Sequence, residues 1–175
     1  MHRDVKPENL ILTPDSELKI VDLGLARPFD ADDADAAAAS ATAKNSSGYG
    51  LAGSLAYASP ERLRGEPAGP RSDLYALGVV LYEVVTGRHP FAYAKTPDEM
   101  MDAHLRTVPQ RPSQLRPRLS PLLEQVLLAL LQKDPEDRPR SAAELVRILE
   151  LGERSDYWRR SEAEAPVLAS TRRLL

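Results

Sequence analysis

The first residues of the chain carry the side chains best suited to chemistry. Asp4, Lys6 and Asn9 place a carboxylate, an ammonium and a carboxamide within six positions, and Asp22 follows one short segment later. Carboxylate and carboxamide oxygens are ligands that Mg²⁺ prefers, and a lysine ammonium can meet the charge of a phosphate. These residue types therefore indicate a site for a nucleotide phosphate and its magnesium ion.

Two short β-prone runs separate Asn9 from Asp22. The runs Leu10–Leu12 and Leu18–Val21 flank the turn-forming stretch Thr13–Glu17, and this pattern predicts a β-hairpin. The two residues at the open end of a hairpin are neighbours in space. We therefore expect the hairpin to bring Asn9 and Asp22 together.

The remainder of the chain carries helix signals. The run from Asp73 to Gly87 is apolar on every face, which predicts a buried central helix that begins near Ser72 and stops at Gly87. Capping residues followed by proline or glutamate predict further helices, with starts at Ser59, Thr96, Ser120 and Ser141. The sequence thus predicts a mainly α fold with one small hairpin.

Three details of these helices are also predicted. The helix that starts at Ser120 is expected to end at Asp134-Pro135, and the next one to bury Leu145, Ile148 and Leu149. Residues after Gly152 are charged and aperiodic, which favours a frayed tail.

Composition narrows the class of protein. The chain has 175 residues, a net charge of -3 and no cysteine. That length suits one domain, the charge does not favour a nucleic-acid partner, and the lack of cysteine excludes disulfides and is compatible with a reducing cytosol. No apolar run is long enough for a membrane span. Residues 30–50 are low in complexity, and the pattern leaves a flexible loop and a marginal helix through the alanines both open.

Five stretches, in this order, resemble the motifs of a serine/threonine protein kinase of the bacterial eukaryotic-like type. They are His2–Asn9, Asp22-Leu23-Gly24, Gly53–Glu61, Ser72–Gly78 and Asp137-Arg138-Pro139. The resemblance covers the large C-terminal lobe of that fold. It implies a kinase lobe over residues 1–152, a charged tail over residues 153–175, and ATP and Mg²⁺ as cofactors.

The resemblance also implies a role for each residue of the opening cluster. Asp4 would accept the proton of the attacking hydroxyl, and Lys6 would neutralise the transferring phosphate. Asn9 and Asp22 would hold magnesium, and the hydroxyl of Ser54 would brace Asp4 and Lys6. Taken singly, each of these residues is more often a turn, cap or solvated residue, so their joint spacing carries the interpretation.

Further roles follow from the same resemblance. Arg3 would pair with a phosphate on an activation loop that spans residues 25–52, where the candidate acceptors are Ser40, Thr42, Ser46 and Ser47. Glu61 and Arg138 would form a buried ion pair. Asp73 would hold the backbone of the catalytic loop.

The resemblance does not extend to a whole kinase domain. No glycine-rich loop that covers the nucleotide, with its strand lysine and helix glutamate, precedes His2, so we expect a truncated domain that is inactive alone. The expected partners are a protein substrate with Ser or Thr, and the missing small lobe or another kinase chain. An alternative stays open, in which the lobe is a non-catalytic binding or regulatory module.

Overall fold

The hairpin forms as the sequence predicts. The structure is a computed structural model that describes residues 1–22 and 55–159. Strands β1 (Leu10–Leu12) and β2 (Leu18–Ile20) pair antiparallel, with Leu10 opposite Ile20 and Leu12 opposite Leu18. The turn between them closes through hydrogen bonds from Ser16 N to Thr13 O at 2.9 Å and from Thr13 N to Glu17 O at 2.8 Å. Strand β2 ends one residue earlier than expected.

Helices make up most of the described chain, so the mainly α class is confirmed. They are α1 (Pro60–Leu63), α2 (Pro70–Thr86), α3 (Pro97–Arg106), α4 (Pro112–Leu115), α5 (Pro121–Leu130) and α6 (Ala142–Leu151). Short 3₁₀ turns lie at Pro7–Asn9, Pro135–Asp137 and Gly152–Arg154. Helices α1 to α5 each have proline in their first turn, where its fixed φ suits a helix and its missing N–H costs nothing.

Helix α2 packs against two groups of residues, and this packing explains why two of its sides are apolar. One side places Leu74 in a cluster with Val126 and Leu130 of α5 and with Leu145 and Ile148 of α6. The other side buries Tyr75, Val79 and Tyr82 against Leu131, with Tyr57 and Leu115 packed around them. The late helices therefore surround α2 and fix its position.

The prediction for α2 is correct in type and slightly wrong in extent. The helix begins at Pro70, two residues before Ser72, because Pro70 takes the first helical position. It ends where expected, since Gly87 adopts the left-handed conformation with φ 74°. One apolar residue departs from the predicted burial: Val84 lies on neither packed side and is 73% exposed.

The capping residues act as their types suggest. Thr96 accepts a hydrogen bond from Glu99 N, and the Glu99 carboxylate accepts one from Thr96 N, both at 3.2 Å. This reciprocal box starts α3. At α6, Ser141 accepts from Glu144 N at 3.1 Å, but the Glu144 carboxylate turns to Arg140 N at 2.6 Å, so only half of the expected box forms.

Two predicted features of the late helices are wrong. Helix α5 ends at Leu130 rather than at Asp134, and the Asp134 side chain instead caps the following 3₁₀ turn through Glu136 N at 2.9 Å. In α6, Leu145 and Ile148 are buried as predicted, whereas Leu149 is 47% exposed. The buried side of α6 is thus narrower than its apolar sequence indicates.

The segment that follows Gly152 still packs against the helices. Ser155 is buried, Tyr157 packs on the α2–α5–α6 cluster, and the Tyr157 hydroxyl donates to Gln125 O at 3.2 Å. The prediction of fraying is therefore wrong for residues 153–159, while residues 160–175 lie outside the described part. Within residues 1–22 and 55–159, no helix combines the length and apolarity that a membrane crossing requires.

The crossing of α2 and α5 predicts a cost for enlarging Gly78. A Cβ atom at this position would lie 2.6 Å from Leu130 Cβ, which is closer than two carbon atoms that are not bonded to each other can approach. Overpacking of this kind typically costs about 1–3 kcal/mol, partly offset by the better helix propensity of alanine. We expect Gly78→Ala to lower the free energy of unfolding in urea by about 1–2 kcal/mol. Val84→Ala, at an exposed position of the same helix, is the control and should change it by under about 0.5 kcal/mol; an equal effect of both would contradict the close approach.

Candidate active site

A single carboxylate holds the backbone that precedes Asp4. Asp73, in the first turn of α2, accepts hydrogen bonds from His2 N at 2.6 Å and from Arg3 N at 2.8 Å. Two successive N–H groups therefore point at one carboxylate, a concave arrangement that suits an anion. Asp73 is 70 positions from Arg3 in sequence, and its contacts attach the first residues of the chain to the central helix.

Asp4, Lys6 and Asn9 meet in space. Lys6 Nζ lies 2.8 Å from Asp4 Oδ2, and the side chains of Lys6 and Asp4 are only 21% and 15% exposed. Asn9 is buried, and its Nδ2 donates to Asp4 O at 2.7 Å and to Asp4 Oδ2 at 3.0 Å. One carboxylate oxygen of Asp4 thus faces both an ammonium and a carboxamide.

The hairpin places Asp22 next to this group. Val21 N donates to Asn9 O at 2.9 Å, and the ring Nε2 of His2 donates to Val21 O at 3.2 Å. Asp22 is the next residue, exposed and in the left-handed region with φ 63°. The open end of the hairpin therefore brings the neighbourhoods of Asn9 and Asp22 together.

The donor set at this end fits a hard cation. Because Nδ2 of Asn9 donates to Asp4, its carboxamide oxygen is the atom left for a metal, and Asp22 adds carboxylate oxygens. Mg²⁺ binds through a few protein oxygens together with phosphate and water oxygens. Among the residues that the structure describes, no group of three or more His, Cys, Asp or Glu could form a metal cage on its own.

A buried ion pair lies behind the site. Arg138 donates through Nη1 to Glu61 Oε1 and through Nη2 to Glu61 Oε2, both at 2.8 Å, and their side chains are 0% and 4% exposed. The Ser72 hydroxyl donates to Glu61 Oε1 at 2.6 Å. The remaining guanidinium hydrogens reach backbone carbonyls, those of Arg71, Gln132 and Lys133, and the guanidinium lies over the Tyr75 ring. The pair is therefore well hydrogen-bonded.

These contacts decide the ionisation of Glu61. Burial by itself would raise the pKa of this carboxyl, but the hydrogen bonds from Arg138 and Ser72 and the charge of Arg138 outweigh it. Together they lower the pKa of Glu61 to about 2. The carboxylate is thus charged at neutral pH.

The segment just before α1 is attached to the helical core by side chains that the sequence did not single out. Tyr57 OH donates to Glu83 Oε2 at 2.9 Å. His89 Nε2 donates to Ala56 O at 2.8 Å, and its Nδ1 accepts from Phe91 N at 3.1 Å. Both ring nitrogens have partners only in the neutral imidazole, and burial lowers the pKa of His89 in the same direction.

A fully buried histidine, His104, lies beside the half-buried His89. The rings of His104 and His89 are 5.9 Å apart, and Tyr75 OH lies 2.9 Å from His104 Nδ1. Burial first, then repulsion from His89 when that ring is protonated, and then the charge of Lys133 lower the pKa of His104 to about 3. Burial, with a further contribution from Arg138, also lowers the pKa of Lys133 to about 8. This cluster is therefore neutral at its histidines at physiological pH.

Some predicted site residues lie outside the described part of the chain. These are Leu23, Gly24, Ser54 and the candidate phosphate acceptors Ser40, Thr42, Ser46 and Ser47, together with the predicted loop over residues 25–52. Their roles stay predictions.

The site thus combines a loop tied to the central helix with a hairpin whose open end lies beside a carboxamide and a carboxylate, a donor set that suits a phosphate and its cation. Comparison with known proteins agrees, because the protein kinase domain family matches residues 1–148. The chain belongs to the protein kinase family, in its bacterial serine/threonine branch.

The relatives have serine/threonine kinase names. The chain is 38% identical over 167 residues to a probable serine/threonine-protein kinase of Corynebacterium efficiens, a match that covers 93% of this chain and 24% of the relative. It is 36% identical over 166 residues to PknB of Mycolicibacterium smegmatis, with 95% and 24% covered. PknB of Mycobacterium tuberculosis is 39% identical over 145 residues, with 83% and 22% covered. The chain thus spans about a quarter of the length of these relatives.

Sequence reasoning missed the side chains that secure the loop segments. Arg62, Glu83, His89 and His104 form contacts across 26 to 59 positions, and no local pattern marks them. The capping serine and proline at Ser59-Pro60 predicted the start of α1, and the family resemblance predicted its ion pair with Arg138, but neither indicated Arg62 as a contact.

The buried pair predicts a large effect of neutralising one partner. Glu61→Gln keeps the shape of the side chain but leaves the Arg138 charge buried without a counter-ion, which typically costs about 3–5 kcal/mol. We expect urea unfolding at pH 7 to show a loss of that order. The control is Glu66→Gln, which removes a solvent-exposed pair with Arg64 at 3.4 Å and should cost under about 1 kcal/mol. Similar losses in the two variants would contradict the prediction that breaking the buried pair costs more stability than breaking the exposed pair.

The buried histidine predicts a pH dependence of stability. The folded pKa of His104 is below its unfolded value of 6.5, so the unfolded chain binds more protons and stability falls as pH drops below about 6.5. Between pH 7.5 and 5 the His104 contribution to this fall is about 2 kcal/mol. Glu61 contributes little in that window, because its pKa is about 2 in the folded chain and 4.5 in the unfolded chain.

The measurement is the free energy of unfolding at both pH values for the parent and for His104→Gln. The variant should lose about 2 kcal/mol less on acidification, whatever its stability at pH 7.5. A fall of the same size in both proteins would show that His104 titrates normally.

Proposed function

We propose that this chain is the large, C-terminal lobe of a serine/threonine protein kinase. Together with a small lobe that covers the nucleotide, it transfers phosphate from ATP to a protein hydroxyl. The observation that carries the proposal is the Asp4 carboxylate, which lies 2.8 Å from Lys6 Nζ and 3.0 Å from Asn9 Nδ2 beside the open end of the hairpin. Kinase relatives with serine/threonine names support it. The proposal includes a cytoplasmic location, where ATP is available.

Each residue has one task in this chemistry. Asp4 accepts the proton of the Ser or Thr hydroxyl as the hydroxyl oxygen bonds to the γ-phosphorus of ATP and the bond from that phosphorus to ADP, the leaving group, breaks. Lys6 meets the negative charge on the transferring group, so that charge is balanced by a fixed partner rather than by water. Asn9 and Asp22 offer oxygen atoms to Mg²⁺, which neutralises phosphate charge when bound.

Positioning explains why a buried scaffold surrounds so few chemical groups. Phosphoryl transfer depends on alignment of the hydroxyl and the phosphate, and misplacement by about 1 Å can cost about a hundredfold in rate. Asp73 fixes the backbone before Asp4, and Asn9 fixes the carboxylate itself. We assign Arg3 to a loop phosphate and Ser54 to Asp4 and Lys6, as the family resemblance implies.

We further propose that the 175 residues alone transfer little phosphate. The glycine loop and lysine expected to cover the nucleotide are not among them. One face of the hairpin carries Leu10, Leu12, Leu18 and Ile20, and the last three are 69%, 61% and 51% exposed. An apolar face of this kind suits a protein partner, either a small lobe or another kinase chain.

The test of this function uses Mg²⁺-ATP and a protein rich in serine and threonine. The chain alone should transfer little phosphate, and a fusion that places the small lobe of a PknB relative before His2 should transfer it readily. Asp4→Asn in the fusion should lower the rate by a factor of about 10²–10⁴, the usual contribution of a general base.

Asp15→Asn is the matched control, because it makes the same chemical change at the exposed hairpin turn. It should leave the rate unchanged. A folded fusion without any transfer would refute the kinase proposal and favour the non-catalytic module, and an Asp4→Asn fusion as active as its parent would refute the role of Asp4.

A further inference from the structure

Arg62 reaches from α1 to the catalytic loop. Its Nη1 donates to Arg3 O at 2.7 Å, a contact between residues 59 positions apart. We propose that Arg62 is a positioning residue for Asp4, because its guanidinium holds the peptide group that joins Arg3 to Asp4. The inference rests on the proposed role of Asp4 as the base.

That peptide group is held at both ends. Its carbonyl accepts from Arg62, and its N–H, which belongs to Asp4, points to His2 Nδ1 at 3.4 Å. Asp73 holds the N–H groups one and two residues earlier. Arg62 and Asp73 therefore fix opposite sides of the backbone around Arg3.

The backbone at Arg3 needs such support. Arg3 has φ 71°, in the left-handed region, which is strained for a residue other than glycine. A conformation of this kind persists where surrounding contacts impose it. Without the bond to its carbonyl, the peptide could rotate and carry the Asp4 carboxylate away from Lys6 and Asn9.

The base of the Arg62 side chain is itself fixed. The preceding residue, Glu61, points inward to the buried pair with Arg138, whereas Arg62 points outward to Arg3 O. The α1 backbone is also closed by bonds from Leu63 N to Ser59 O and from Glu66 N to Glu61 O. The short helix thus links the buried ion pair to the loop that carries Asp4, and Arg62 is the contact at its outer side.

The experiment compares Arg62→Gln, Arg62→Lys and Arg64→Gln in the 175-residue chain by NMR. Arg64 is an exposed arginine two residues along that pairs with Glu66, so its variant removes a similar charge without touching the loop. The readouts are hydrogen exchange at the Asp4 amide and the chemical shifts of the Asn9 side-chain NH₂. The Asn9 group donates to Asp4 O and Oδ2 and reports directly on where Asp4 lies.

We expect Arg62→Gln to speed exchange at the Asp4 amide about five- to tenfold, the effect of one lost hydrogen bond, and to shift the Asn9 NH₂ signals toward free amide values. Arg62→Lys should recover part of both changes, because an ammonium can donate but lacks the planar fork of guanidinium. Arg64→Gln should leave both readouts as in the parent.

Unchanged Asn9 signals and Asp4 exchange in Arg62→Gln would overturn the proposal. Equal changes in Arg64→Gln would also overturn it, because they would show a general charge effect. The measurements need no phosphate transfer, so an inactive fusion would refute the proposed function while this test of Arg62 keeps its own outcome.

Discussion

The contact between Glu61 and Arg138 is the interaction on which the other parts of the described structure rest. It joins α1 to the turn after α5, and the Ser72 hydroxyl and the Tyr75 ring tie the same pair to α2. A buried pair is a weak source of net stability, because desolvation offsets its attraction. Its value here is geometric, since every donor of the guanidinium has a defined acceptor and α1 can sit in only one place.

The loop of residues 2–9 is held by that placement from two directions. Asp73 belongs to the first turn of α2 and holds the amides of His2 and Arg3, and Arg62 of α1 reaches the carbonyl of Arg3. The backbone position in turn fixes the Asp4 carboxylate, because Asn9 donates hydrogen bonds to both the carbonyl and the carboxylate of Asp4. Few residues form this polar cluster, and several others hold it in place.

The histidine cluster shows how the segment before α1 is held at its other side. His89 bonds Ala56 O and Phe91 N as a neutral ring, and His104 packs next to it in a site that burial keeps uncharged. Protonation of His104 would place a positive charge near Lys133, whose own pKa is already lowered. The stability of this attachment is therefore linked to pH, in the direction of loss on acidification.

Much of the fold could be predicted from local patterns. Proline and capping residues marked the starts of the helices, the turn residues 13–17 marked the hairpin, and Gly87 marked the end of α2. Failures occurred where packing overrode pattern. Leu149 has the right spacing for burial but is exposed, and Tyr157 follows an aperiodic stretch but packs on the core.

The sequence by itself determined which chemical groups are available and that Asn9 and Asp22 share one end of a hairpin, because both follow from residue types and short spacings. The tertiary structure decided how those groups are held. Arg62 and His89 reach partners 59 and 33 positions away, and Arg3 takes a left-handed backbone that no local preference favours. Such contacts depend on how helices pack in three dimensions, and a one-dimensional pattern contains no record of them.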